Sequence, residues 1–154
     1  MAIRSECKAL VVHKGRILLN RCAAREGRVL YDLPGGGQRP YEPMESTVVR
    51  EVAEETGYRV RVLRFCCLVE EITRDEAQRA AHPDYTHRVL HLFLTALQSE
   101  EAGTPTECDV EQEDCVWVPL EEAARLPVRP LGIAPYLPRM AQESSPLFLS
   151  TLYS

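Results

Sequence analysis

Three carboxylates, Glu51, Glu54 and Glu55, follow one guanidinium, Arg50, in a stretch that opens on three consecutive glycines, Gly35, Gly36 and Gly37. Residues 44–56 hold neither glycine nor proline, Pro43 brings the fixed φ of a first helical position, and Gly57 suits a left-handed stop. A helix of about three and a half turns is therefore expected over 44–56. At about 100° per residue, with Glu51 as origin, Glu55 falls at about 40° and Glu54 at about 300°, so the carboxylates share one edge. Val48, Val49, Val52 and Ala53 run from about 60° to about 200° and form the expected buried side. Like charges at i, i+4 cost a helix roughly 0.2–0.5 kcal/mol each, so a positive group is expected among them. Arg50 can pair with Glu54, but one guanidinium does not neutralise three glutamates together with Glu42 and Glu45. A hard divalent cation does, and an all-oxygen donor set selects magnesium or manganese over zinc. The competing reading is a solvated acidic face behind a glycine-rich connector. The glycines read as a loop that something outside the chain can approach closely, and without a following Lys-Ser/Thr they do not form a P-loop.

Gly36, then Glu42, then the run Arg50-Glu51-Val52-Ala53-Glu54-Glu55-Thr56-Gly57-Tyr58 resemble the Nudix box, G-x5-E-x7-R-E-U-x-E-E-x-G-U with U aliphatic, over residues 36–58. Every fixed position matches. Tyr58 stands where an aliphatic residue is usual and Tyr41 where many members have glycine, and neither change removes a ligand. The resemblance implies an α/β protein: a Nudix-type α/β/α sandwich, one domain over 1–154, with a mixed β-sheet and a loop-helix-loop metal site. It also implies hydrolysis of the pyrophosphate linkage of a nucleoside diphosphate derivative, with Mg2+ or Mn2+ as cofactor. Carried onto matching positions, Glu54 and Glu55 become metal ligands and Glu51 a ligand or general base. Arg50 orients the glutamates, the carbonyl of Gly35 is a further ligand, and Gly36 and Gly37 border the substrate. Arg25 and Arg28 lie where many members approach substrate, although loop arginines are as readily solvated. Glu111 and Glu113, ahead of Trp117-Val118-Pro119-Leu120, are candidates for an extra acid. A catalytically silent Nudix domain that binds a nucleotide or regulates a partner is the alternative.

The elements around this stretch follow from periodicity. Residues 7–13 and 16–22 flank a Lys14-Gly15 turn and read as a hairpin, 23–28 as a loop, and 29–33 as a strand entering the glycines. Residues 59–71 alternate as a strand, 75–81 suit a helical turn, and 87–97 form a strand with His87 and His91 on one face as ordinary strand histidines. Residues 100–114 are an acidic surface loop, 121–126 a short helix, and 131–142 at most a broken helix because prolines recur. Leu147, Phe148, Leu149, Leu152 and Tyr153 either pack back on the domain or bury against a second copy in a homodimer.

At 154 residues with 45% apolar and 27% charged side chains, the chain has the composition of one soluble domain. A net charge of −5 argues against sequence-independent nucleic-acid binding and would repel a phosphorylated small molecule unless a cation reverses the local sign. Neither a signal peptide nor an apolar run long enough for a membrane is visible, which makes the cytoplasm the expected location. Six cysteines without a C-x-x-C pair read as reduced packing residues, and adjacent Cys66 and Cys67 are expected on opposite strand faces. Thr73, Arg74 and Asp75 stand where some relatives carry the proline or tyrosine that accompanies ADP-ribose or dinucleoside polyphosphates, while Pro83 and Tyr85 lie further on. Nucleoside triphosphate (or an oxidised nucleotide) and ADP-ribose therefore rank level as substrates. Tyr31, Tyr41, Tyr85 and Tyr136 are candidates for base stacking or for ordinary packing.

Overall fold

The computed structural model describes residues 2–106 and 112–154. Strands β1 (Arg4–His13) and β2 (Arg16–Arg25) turn at Lys14-Gly15, both at positive φ. The hairpin pairs only beside its turn, at Val12–Ile17 and His13–Arg16. Beyond that the strands part. β2 takes β3 (Arg28–Asp32) and β7 (Gln112–Pro119) as antiparallel neighbours, whereas β1 pairs with β4, Gly35–Gly37. The expected glycine loop is thus a short strand, in register Glu6–Gly37, Cys7–Gly36 and Lys8–Gly35. The loop expected over 23–28 shrinks to a tight turn at Glu26-Gly27, both at positive φ.

Helix α1 (Met44–Thr56) follows, with Pro43 as its cap rather than its first turn, and Gly57 closes it at φ 77° with its N–H on the Ala53 carbonyl. Then come β5 (Val60–Ile72), α2 (Glu76–Ala81) and β6 (His87–Leu97); the Asp75 carboxylate caps α2 by accepting from the Ala77 and Gln78 amides. The chain ends with α3 (Leu120–Ala123), β8 (Val128–Arg129), α4 (Leu137–Gln142) and β9 (Leu147–Tyr153). The main strand order is β8-β3-β2-β1-β6-β5-β9, with β1–β6, β5–β9 and β3–β8 parallel. Pairing with β5 seats the apolar C-terminal segment on its own domain, and Leu147, Leu149 and Leu152 pack against the core.

Alternation along β1 divides the interior. Cys7, Ala9 and Val11 pack with Val48 and Val52 of α1, while Leu10 joins the core under α3 and α4, with Leu120, Leu137 and Met140. Helices therefore lie on both faces of a mixed sheet. Cys66 and Cys67 depart from the expected opposition: both are fully buried in one cluster, because a bulge between Phe65 and Cys67 shifts the register. Tyr58 meets Trp117 edge-on at 5.5 Å and accepts its indole N–H at 3.2 Å, so the residue that departs from an aliphatic pattern serves as packing. No helix among the described residues is long and apolar enough to cross a membrane.

Candidate active site

The buried side of α1 is rotated from the expected one. Thr47, Val48, Val52, Glu55 and Thr56 are buried, whereas Val49 is exposed. The buried arc is thereby centred beside Glu55, so the helix presses part of its acidic edge against the sheet. Burial pushes the Glu55 carboxyl up to about 7, outweighing the nearby Lys8 ammonium. Its Oε2 accepts from Asn20 Nδ2 at 2.9 Å and from the Gly35 amide at 3.0 Å. Burial also raises Glu51, against the pull of Arg50.

Arg50 distributes its donors over the whole stretch. Nε and Nη2 grip Glu42 at 2.8 and 2.9 Å, Nη1 reaches Glu51 at 2.9 Å and Glu54 at 3.1 Å, and Nη2 also reaches the Gly37 carbonyl at 3.2 Å. A planar fork can hold several oxygens at fixed angles in this way, and a lysine cannot. The Arg50 hydrogen bonds, with help from Thr47, hold the Glu42 carboxyl at about 2. Glu42 is thus committed to Arg50, while Glu51 keeps Oε2 free of any hydrogen bond to Arg50.

The glycines of β4 are occupied from within the chain. A Cβ on Gly36 would lie 2.7 Å from the Glu51 carboxylate, one on Gly37 would lie 2.7 Å from Arg4 Nη2, and one on Gly35 would collide with the Cys7 carbonyl and the Lys8 side chain. Gly35 also sits at φ 144°, open only to glycine. The close approach anticipated from outside is made by three resident functional side chains. Lys8 Nζ donates to the Gly35 carbonyl at 3.1 Å.

Two chambers open beside this ribbon. A smaller one of about 360 Å³ is bordered by Gly35, Gly36, Gly37 and Glu51 together with Arg4 and Arg88. A larger one of about 890 Å³ runs under α2 past Asn20, Leu33 and Gln112. Lys8, Asp32, Glu55, Tyr85 and Arg129 border both. Arg129 closes a two-point pair on Asp32 at 2.9 and 2.7 Å.

Arg50, Glu51, Glu54, Glu55, Gly35, Gly36 and Gly37 are therefore gathered in one place. Arg28 is not: it is exposed at the tip of the β2–β3 turn and borders neither chamber. Glu111 lies outside the described residues, as do the side chains of Arg25 and Glu113. Sequence reasoning passed over Arg4, Lys8, Asn20, Asp32, Arg88 and Arg129. The spacing of Arg4, Glu6 and Lys8 was a usable signal, since alternate residues of one strand share a face. Asn20 and Arg129 carried none, because only β-sheet pairing brings them to the helix.

Among the described residues no three histidine, cysteine or acidic side chains converge as a closed metal cage would require. Magnesium does not need such a cage, since it keeps waters and takes one or two carboxylates plus phosphate oxygens. The all-oxygen set of Glu51, Glu54, Glu55 and the Gly35 carbonyl suits that open mode, and the burial-raised Glu55 is a carboxyl that gains from a cation.

A NUDIX domain model matches residues 7–140. The chain is 36% identical over 96 residues to a CMP-5'-(N-acetyl-N-hydroxy-3-aminopropyl)phosphonate hydrolase of Streptomyces rubellomurinus, covering 62% of this chain and 41% of that protein. The chain thus spans about two fifths of that relative's length. It is 25% identical over 115 residues to the nucleoside triphosphatase NudI of Klebsiella pneumoniae, covering 73% and 79% respectively. The crystal structure of a MutT NUDIX hydrolase from Burkholderia pseudomallei superposes with a TM-score of 0.62 at 30% identity, over 87% of this chain and 96% of that one.

Proposed function

This chain belongs to the Nudix family of hydrolases, and from that premise we propose that it is a magnesium- or manganese-dependent pyrophosphatase acting on a nucleoside diphosphate derivative. The observation that carries this reading is the junction of the two chambers. There the Glu51 and Glu55 carboxylates, the glycine strand and Lys8 meet beside a space large enough for a nucleotide.

Glu51, Glu54, Glu55 and the Gly35 carbonyl would hold the cation. When bound, it lowers the pKa of a water and offsets charge on phosphate oxygens. The rest falls to this chain's own side chains. Arg50 fixes the rotamers of Glu51 and Glu54, so that the carboxylates meet the substrate in one geometry. Glu51, whose Oε2 is not engaged by Arg50, would take the proton of the attacking water. The water oxygen forms a bond to one phosphorus, the bridging P–O bond breaks on the far side, and the proton leaves on the carboxylate. Lys8, which borders both chambers, would offset the negative charge that gathers on the oxygens during that step. Asn20 and the Gly35 amide hold Glu55 in place from behind.

The test is turnover of a panel of nucleoside triphosphates, nucleotide sugars and ADP-ribose with either metal added. Hydrolysis of at least one, reduced strongly by Glu51→Gln, is expected. Absence of turnover across the panel overturns the reading.

A further inference from the structure

Past the last rung of the β5–β6 pairing, Ile72–His87, the chain leaves the sheet and returns. The stem of this excursion is held firmly. Thr73 is buried, its amide donates to the Thr86 carbonyl at 2.8 Å, and its hydroxyl lies 3.1 Å from that of Ser154. Arg74 donates its amide to the Ser154 carbonyl at 2.7 Å and sets its guanidinium carbon 3.7 Å from the centre of the Tyr153 ring. From Arg74 to Tyr85 every residue is exposed, and neither α2 nor the 3-10 turn Pro83–Tyr85 buries a side chain. The excursion nevertheless supplies Ala77, Gln78 and Ala81 to the lining of the larger chamber, to which the body of the domain gives Asn20, Cys22 and Leu33.

A six-residue helix with no packed face is marginal in water. Among the described residues, the hydrogen bonds of 75–85 all stay within 73–86: Asp75 caps α2, Arg79 Nε donates to the Thr73 carbonyl, and the His82 and Tyr85 amides donate to the Gln78 and His82 carbonyls. One ring contact ties the segment to the rest of the domain, the Tyr85 ring 4.6 Å from the Arg4 guanidinium carbon. Arg4 in turn lies flush on Gly37, whose carbonyl accepts from Arg50 Nη2 at 3.2 Å. A fixed stem, an unpacked body and a single contact near the tip make a hinged flap. We propose that residues 75–85 are a lid over the larger chamber, swinging on the Thr73–Thr86 stem and latched by Tyr85 on Arg4. The latch ends on the glycine strand against which Glu51 lies, so the lid closes onto the strand that carries the catalytic glutamates. An exposed cation–π contact is modest, and its loss should raise the open population about two- to fivefold.

The experiment needs no ligand, because the chamber holds its own reporter. Cys22, on the chamber wall, is 4% exposed and reads opening of the lid, whereas Cys66, fully buried in the core, reads unfolding. Burial pushes both thiols up to about 12, so their relative rates compare access. Modification by N-ethylmaleimide is followed by peptide mass spectrometry in the native chain, Tyr85→Ala, Tyr85→Phe, Arg4→Met and the double variant Tyr85→Ala with Arg4→Met, and each Cys22 rate is divided by that of Cys66. The native ratio should be at least about tenfold, since local opening costs less than unfolding. It should rise about two- to fivefold in Tyr85→Ala and equally in Arg4→Met, rise no further in the double variant, and stay native in Tyr85→Phe, which keeps the ring. Modification of Cys22 in step with Cys66, a native ratio in Tyr85→Ala, or additive effects in the double variant overturns the lid. A variant that is merely destabilised speeds Cys66 as well and so does not raise the ratio.

Discussion

Arg50 grips Glu42 at two points, Nε to Oε2 at 2.8 Å and Nη2 to Oε1 at 2.9 Å. That grip leaves Nη1 pointed at Glu51 and Glu54, so the position of both carboxylates depends on a pairing eight residues away. Lysine retains the charge but not the fork. Arg50→Lys is accordingly predicted to fold and to lose roughly 100-fold in kcat, the scale on which small misplacements act. Steady-state kinetics would show the loss in kcat with KM little changed; a KM effect alone would contradict the positioning role.

The three glutamates downstream are predicted to divide from Glu42 in metal uptake. Glu54→Gln with Glu55→Gln should abolish manganese binding in calorimetry and lower turnover at least about 100-fold, since the cation supplies several kcal/mol. Glu42→Gln should retain measurable uptake, because that carboxylate is spent on Arg50. Equal loss of binding in both variants would refute the division.

Neighbouring glycines are predicted to respond oppositely to alanine. In Gly36→Ala the atoms nearest the added methyl are those of the Glu51 carboxylate, the far end of a side chain and not backbone, so the fold should survive while the carboxylate is pushed off its Arg50 contact and activity falls at least about tenfold. In Gly35→Ala the methyl meets backbone at a φ closed to L residues, which should cost about 1–3 kcal/mol or more. Thermal melts and kinetics on both variants check this: an inactive, stable Gly36→Ala beside an unstable Gly35→Ala.

Glu55 sets a pH dependence for the metal-free protein. Its folded pKa of about 7 lies above the ordinary 4.5, so its protonated form favours folding. The contribution is fully present below pH 4.5 and is lost as pH rises through 7. Metal-free melting temperature should therefore fall over that window, less so in Glu55→Gln, and added manganese should restore it at the upper end. Identical profiles for the native chain and Glu55→Gln would exclude Glu55 as the source.

Much of this architecture was legible from periodicity. The helix over 44–56 and its Gly57 stop, the hairpin at Lys14-Gly15, and the strand at 87–97 all follow from local pattern and turn chemistry. Reading Val49 as buried failed because hydrophobicity alone set the expected face. Thr47, Glu55 and Thr56 take the buried side instead, and Glu55 is tied to the sheet there by Asn20 and the Gly35 amide. The glycine triplet was misread as a loop because its reason, three side chains lying flush upon it, resides in Arg4, Lys8 and Glu51. Arg88 joins Arg4 through a parallel pairing across more than eighty positions, which no local window contains.

The ribbon at Gly35–Gly37 also constrains how this site can be re-engineered. Each missing methyl is the mould of a particular neighbour, so 36 and 51, or 37 and 4, form lock-and-key couples rather than independent letters. A library that randomises 36 or 37 alone would set each new side chain against the resident Glu51 or Arg4. Joint randomisation of the couples is where altered variants would surface.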